Sequence, residues 1–163
     1  MKSHIFRIII QPEKPKGYHG FVPLLRGLHT YGDTLEEVKH NLKEAIICHV
    51  QGLLKDKEVI PREDEVLELI QSFSEKEFSL SRWSWMPKLP VIKIKELIRV
   101  LNKLGFFEHH WVGSHFQFKH PDGRRITIPV HHGKDIKKGM LKGIINDLDI
   151  SVEEFIRILK EKK

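Results

Sequence analysis

The chain is poor in cysteine. Cys48 stands alone among 163 residues, so no intrachain disulfide can form and no thiolate cluster can hold a metal. A long apolar run is missing too. The N-terminal stretch Ile5-Phe6-Arg7-Ile8-Ile9-Ile10 is broken by Arg7 and is too short for a signal core or a membrane span, so a soluble cytoplasmic protein with no membrane contact is expected. Excess acid is confined to one half. Residues 1–80 carry 11 lysines and arginines against 13 acids, a net charge of −2, whereas residues 81–163 carry 17 against 9, a net charge of +8, which together give the +6 of the whole chain. With 40% hydrophobic and 31% charged residues the composition is globular. The charge asymmetry favours two small domains, residues 1–80 and 81–163. A basic half of about eighty residues is the electrostatic footprint expected for a nucleic acid partner.

What is present reads as α+β. Ile5 to Ile10 is rich in β-branched residues and ends at Pro12, which predicts a strand, with two more at Tyr18 to Val22 and Gly27 to Tyr31. Thr34 and Glu37 form a capping-box pattern that opens a helix. Leu35, Val38, Leu42, Ala45, Ile46, His49 and Leu53 share one face of it, which can cover the sheet. His49 is expected to be a packed core histidine, having no second histidine at matching spacing, and Cys48 an inert thiol off the main stripe. Glu63 to Phe73 predicts a short amphipathic helix, and Ser72 to Ser84 the linker, ending in Trp83-Ser84-Trp85, whose rings are expected to dock on a domain.

From Met86 a second unit begins. Ile94, Leu97, Ile98, Leu101 and Leu104 recur at helical spacing until Gly105. Three strands are predicted at Phe106 to Val112, Ser114 to His120 and Arg124 to His131, with Pro121-Asp122-Gly123 turning between the last two. A lysine-rich helix follows from Lys137 to Leu148, and Ser151 caps a final one. The order resembles a double-stranded-RNA-binding-type sandwich.

His115, after Gly113 and Ser114, is the candidate for chemistry. A glycine and a small hydroxyl let a polyanion approach the ring, and an imidazole can hold or release a proton near neutral pH. RNA cleavage needs no metal if a base takes the proton of the 2′-hydroxyl while cations stabilise the phosphate. Lys134, Lys137 and Lys138 at a helix start, with Arg124 and Arg125 on the hairpin, are candidate RNA-binding cations. The alternative is an ordinary solvated basic face with His115 bonded to backbone. His109, His110, His120, His131 and His132 lie nearby, but adjacent histidines on a strand point oppositely and no HExxH or Cys/His spacing occurs, so neither a metal nor another cofactor is expected.

Residues 87–160 resemble the HicA toxin family, on Leu-Asn-Lys-Leu-Gly105-Phe106, Gly113-Ser114-His115, Pro121-Asp-Gly-Arg-Arg-Ile-Thr-Ile-Pro129-Val-His131 and Lys137-Lys138-Gly139-Met-Leu. Residues 4–61 resemble the HicB antitoxin family, on Gly20-Phe-Val-Pro23-Leu-Leu-Arg-Gly27-Leu-His-Thr-Tyr-Gly32-Asp33-Thr34-Leu-Glu-Glu37, Ala45-Ile46 and Val59-Ile60-Pro61. The resemblance implies a partial ribonuclease H-like sheet-plus-helix domain followed by an α-β-β-β-α domain that cleaves mRNA without metal through His115. It also implies that the first domain binds the second and covers that histidine, in cis or between chains of a homo-oligomer. A tether of about ten to twenty residues supplies an effective concentration of order mM. Two departures follow. Relatives often carry a second histidine where this chain has Phe116, which leaves a catalytically inactive RNA-binding regulator as the alternative. Residues 62–85 look too short and acidic for the DNA-binding segment common in HicB proteins, so operator binding is not expected.

Overall fold

The computed structural model describes residues 3–63, 89–130 and 135–161. The expected helix within 63–73, the linker with Trp83 and Trp85, and His131, His132 and Lys134 fall almost wholly outside them. Along the described chain the order is β1 (Ile9–Pro12), β2 (Tyr18–Phe21), β3 (His29–Gly32), α1 (Leu35–Lys55), α2 (Ile94–Lys103), β4 (Phe107–Val112), β5 (His115–Lys119), β6 (Arg125–Pro129), α3 (Lys138–Asp147) and α4 (Val152–Lys160). Strands β1 to β3 and β4 to β6 form two antiparallel three-stranded sheets, each in sequence order. The fold is α+β with two small domains, as the sequence predicts.

The elements start where local chemistry permits. The first strand lies later than Ile5 to Ile10, because pairing with β2 runs from Ile9 against Phe21 to Pro12 against Tyr18. Proline sits at an edge strand here, where its missing N–H costs little. Helix α1 is capped by Thr34, whose Oγ1 accepts from the Glu37 amide at 3.1 Å, while the Glu37 carboxylate reaches back to accept from the Asp33 amide at 2.8 Å. Helix α2 ends at Gly105, with φ +87°, where the Phe106 amide donates to the Leu101 carbonyl at 2.9 Å, the bond of a Schellman ending.

The C-terminal half holds the larger core. Leu97, Leu101, Phe118, Ile126, Ile128, Met140, Leu141, Ile144 and Phe155 are all buried between α2, α3, α4 and one face of β5 and β6. The N-terminal core is smaller, with Val22, Leu25, Leu28, Val38, Leu42 and Ala45. Tyr31 of β3 belongs to the C-terminal core instead.

The halves meet along an extended seam. The Thr127 amide of β6 donates to the Gly27 carbonyl at 2.7 Å, and Leu28 bridges Thr127 in parallel, so the two sheets touch edge to edge. Helix α1 lies over both sheets. This explains Cys48, expected off the apolar stripe but fully buried: α1 is covered on a second face by β4 and β5. Its sulfur lies 3.4 Å from the His115 carbonyl, and burial pushes the thiol up to about 11, so it stays unreactive.

Glycines set how closely the halves approach. A β-carbon on Gly52 of α1 would lie 1.8 Å from Gln117 Oε1, and one on Gly27 would lie 1.9 Å from the Arg125 carbonyl oxygen. On α3, a β-carbon at Gly139 would meet the Glu13 carboxylate at 2.3 Å, and one at Gly143 the His29 ring at 2.6 Å. At Gly27 the obstacle is backbone and at Gly52 and Gly143 a buried side chain, so a side chain there would push the halves apart, whereas at Gly139 it is the end of the Glu13 side chain, which can shift.

Candidate active site at the seam

Strand alternation decides which residues of the second sheet face the first half. On β5, Phe118 points into the core of its own half, while His115, Gln117 and Lys119 point towards α1. On β6, Ile126 and Ile128 join that core and Arg125 and Thr127 face α1. The sheet face under α1 is therefore polar, and His115, Gln117, Arg125 and Thr127 are all buried there.

His115 has no solvent exposure. Its Nε2 lies 2.7 Å from the Thr30 hydroxyl of β3, and its Nδ1 lies 3.4 Å from the Glu44 carboxylate of α1. Ser114 Oγ is also 3.4 Å from Glu44 and 3.5 Å from His115 Nδ1. Gly113 makes the tight β4–β5 turn at φ +55°, and a β-carbon there would come within 2.6 Å of the Glu44 carboxylate. The Gly-Ser-His motif thus stands against a carboxylate and a hydroxyl, both supplied by the other half. Chemically, one ring nitrogen faces an acid that can orient it and the other faces a hydroxyl within proton-transfer distance.

The other predicted cations are dispersed. Arg125 is 6% exposed and binds Asp56 and, at 2.7 Å, Glu58, with Gln117 Oε1 at 2.9 Å. In the β5–β6 register it pairs with Lys119, at the opposite end of the hairpin from His115 and Pro129. Arg124 holds its own turn, donating to Asp122 at 2.7 Å and to the Leu148 carbonyl at 2.9 Å. Lys137 stands at the N-cap position of α3 without a side-chain capping bond and donates to the Lys16 carbonyl at 3.2 Å, and Lys138 is exposed at the first turn of α3. That helix start is met by Glu13, which accepts from the Met140 amide at 3.0 Å. Among the described residues no three His, Cys, Asp or Glu side chains are grouped to hold a metal, and no helix is long and apolar enough to cross a membrane.

Sequence reasoning missed the partners of these groups. Thr30, Glu44, Asp56, Glu58 and Glu13 all belong to the first half and all touch the second. A further set joins them: His19 Nε2 lies 3.0 Å from His29 Nδ1, and His29 Nε2 lies 2.8 Å from Asp147 Oδ2, which also accepts from the Gly27 amide at 2.8 Å.

Buried histidines make the fold acid-sensitive. Burial and neighbouring His29 push His19 down to about 3, and burial with the Arg125 charge pushes His49, bonded to Thr127 at 3.0 Å, down to about 4. Both protonate near 6.5 when unfolded, so their depressed folded values give stability that is complete above that pH and is lost as pH falls towards 4 and 3. Between pH 7 and pH 5 each is expected to cost on the order of 2 kcal/mol. Urea unfolding should show a lower midpoint at pH 5, and His49→Asn or His19→Asn should flatten that dependence. An equally steep dependence in both variants would refute the assignment. Asp56 acts in a lower window: burial opposes its ionisation, but Lys119 and Arg125 outweigh this and hold it at about 2. Its contribution is full above the usual carboxylate range and disappears as pH falls through about 2.

With this geometry in hand, comparison with known proteins places the chain. Residues 6–97 match the family described as HicB-like antitoxin of bacterial toxin-antitoxin system. The chain belongs to the HicB-like antitoxin family. Residues 94–150 match the HicA toxin of bacterial toxin-antitoxin, so the same polypeptide carries a HicA toxin domain and is a toxin-antitoxin fusion. Similar proteins include a UPF0150 protein of Synechocystis sp., 36% identical over 62 residues, 38% of this chain and 78% of that protein. The UPF0150 protein of Thermoplasma acidophilum is 37% identical over 59 residues, covering 36% and 86%. That of Thermotoga maritima is 54% identical over 44 residues, covering 26% and 57%. The HicA match contains Gly113-Ser114-His115 and the HicB match contains Thr30 and Glu44, so the seam joins an antitoxin-family half to a toxin-family half.

Proposed function

We propose that the HicA half, residues 81–163, is a metal-independent endoribonuclease acting on mRNA, with His115 as general base, and that the HicB half, residues 1–80, keeps it silent in the cytoplasm. The observation that carries the reading is the environment of His115. Its Nε2 touches a hydroxyl at 2.7 Å, where a ribose 2′-hydroxyl would have to lie for its proton to be removed. Thr30 therefore stands in for the substrate hydroxyl. The deprotonated 2′-oxygen attacks the adjacent phosphorus, the bond from phosphorus to the 5′-oxygen breaks, and the leaving oxygen takes up a proton. Lysine and arginine side chains of the basic half stabilise the extra phosphate charge.

Inhibition in this reading is occupation. Thr30 and Glu44 fill the space around His115 while Asp56, Glu58 and Glu13 neutralise or cover cationic positions. A tether near mM effective concentration keeps a modest interface closed, whether each HicB half covers its own toxin half or that of a second chain.

The chemistry has a direct test. Once the seam is opened by mutation, the protein should cut an RNA strand in EDTA and leave 2′,3′-cyclic phosphate ends, while a 2′-deoxy strand of the same sequence stays intact. Equal cutting of both strands would remove the 2′-hydroxyl, and with it this role of His115, from the mechanism.

A further inference from the structure

We propose that His109, Lys119 and Arg125 form a phosphate-binding subsite for the RNA strand, distinct from the catalytic histidine and held shut by Asp56 and Glu58. The inference rests on the ribonuclease reading and extends it to how the strand is held.

The three side chains come from three adjacent strands, β4, β5 and β6, and converge on one oxygen, to which Lys119 and Arg125 donate. Asp56 Oδ2 lies 2.6 Å from Lys119 Nζ and 3.0 Å from His109 Nε2, and it also accepts from Arg125 Nη2. Glu58 Oε1 adds contacts of 2.7 Å to Arg125 and 3.6 Å to Lys119. A single anionic oxygen held by an ammonium and a guanidinium, with the buried His109 Nε2 3.0 Å away and not yet hydrogen-bonded, has the surroundings that a phosphate oxygen receives in a protein.

Every donor belongs to the toxin half and both acceptors belong to the antitoxin half, at and just beyond the end of α1. Within its own half, Arg125 donates to the neutral Gln117 Oε1 at 2.9 Å. Removing α1 therefore leaves a concentrated positive site with its charge uncompensated by those two acids. Such a site costs stability unless an anion fills it. The cluster also lies on the productive face. Lys119 is four residues from His115 on β5, so both side chains project to the same side, about 14 Å apart at the rise of a strand. That separation is a few nucleotides of an extended strand. A strand anchored at Lys119 and Arg125 would be drawn across the sheet towards Nε2 of His115.

The test uses the full chain and a fluorescein-labelled 2′-O-methyl RNA of about a dozen nucleotides, which the 2′-hydroxyl mechanism cannot cut. Asp56→Asn with Glu58→Gln removes both stand-in charges. Its affinity at low salt should exceed that of the parent at least tenfold, and adding Lys119→Gln should cancel most of the gain. The slope of log affinity against log salt should then fall by about 0.7, the loss of one phosphate contact on a single strand. Lys95→Ala, at an exposed position of α2 on the other side of the sheet, should leave the slope unchanged. Asp56 and Glu58 also hold the seam, so the Gly52→Leu chain provides an independent opening, and Lys119→Gln should lower its slope by the same amount. If Lys119→Gln changes neither slope while RNA still binds, the subsite is wrong and the ribonuclease reading stands. If Asp56→Asn with Glu58→Gln binds no better than the parent while the Gly52→Leu chain binds RNA, the subsite is again wrong. If no variant binds RNA, both fall.

Discussion

Replacing Gly52 by leucine is expected to raise RNA cleavage by the full chain about 10- to 100-fold. Gly52 is an interior residue of α1, so the change favours the helix itself by up to about 1 kcal/mol. The obstacle is external. A β-carbon at this position would sit 1.8 Å from Gln117 Oε1, and Gln117 cannot move aside cheaply: it is fully buried, accepts from Arg125 at 2.9 Å and donates to the His49 carbonyl at 3.1 Å. Overpacking of this kind costs about 1–3 kcal/mol, and here the cost falls on the closed state alone. The open fraction rises by the corresponding factor, and cleavage of a labelled RNA in EDTA reads it directly. Circular dichroism should show α1 intact. A chain that gains no activity although limited proteolysis shows the halves apart would place the silence of the parent outside the seam.

Replacing His115 by alanine in that opened chain is expected to abolish the gain, with a loss on the order of 10²- to 10⁴-fold for a general base. The opened background matters. In the closed chain the same substitution removes the contacts to Thr30 at 2.7 Å and Glu44 at 3.4 Å, so it loosens the seam while it destroys the base. Comparing two opened chains isolates the chemistry. RNA affinity should stay within about twofold, because the loss concerns a transition-state contact and not binding of the strand. Retained cleavage would move the proton transfer to another group and revive the reading of a binding module with an incidental histidine.

The fold was largely legible because its periodicities are local. Alternation along Arg125 to Pro129, the cap at Thr34 and the Gly105 stop are each set by a few neighbouring residues, and the structure moves their ends by little. The first strand was misplaced for a nonlocal reason: Ile5 to Ile8 has strand propensity, but the antiparallel register with β2 begins only at Ile9. His115 could be singled out because Gly-Ser-His at a strand entry is distinctive. Its partners could not. Glu44 and Asp56 read as ordinary solvent-facing charges of a long helix, and only the second sheet lying across α1 reveals them as contacts. One signal was available in the glycines. Gly52, Gly139 and Gly143 all sit within helices, where glycine costs up to about 1 kcal/mol against alanine, and each is explained by the close approach of the other half. Arg125 illustrates the reverse case: its charge announced an anion partner, and the partner in the closed protein is a pair of carboxylates.

Cleavage of one RNA in EDTA by three full-length proteins, the parent, Gly52→Leu and Gly52→Leu with His115→Ala, tests the account most directly. It predicts silence, cleavage and silence in that order. Equal cleavage by the parent and Gly52→Leu, or undiminished cleavage after His115→Ala, would contradict it.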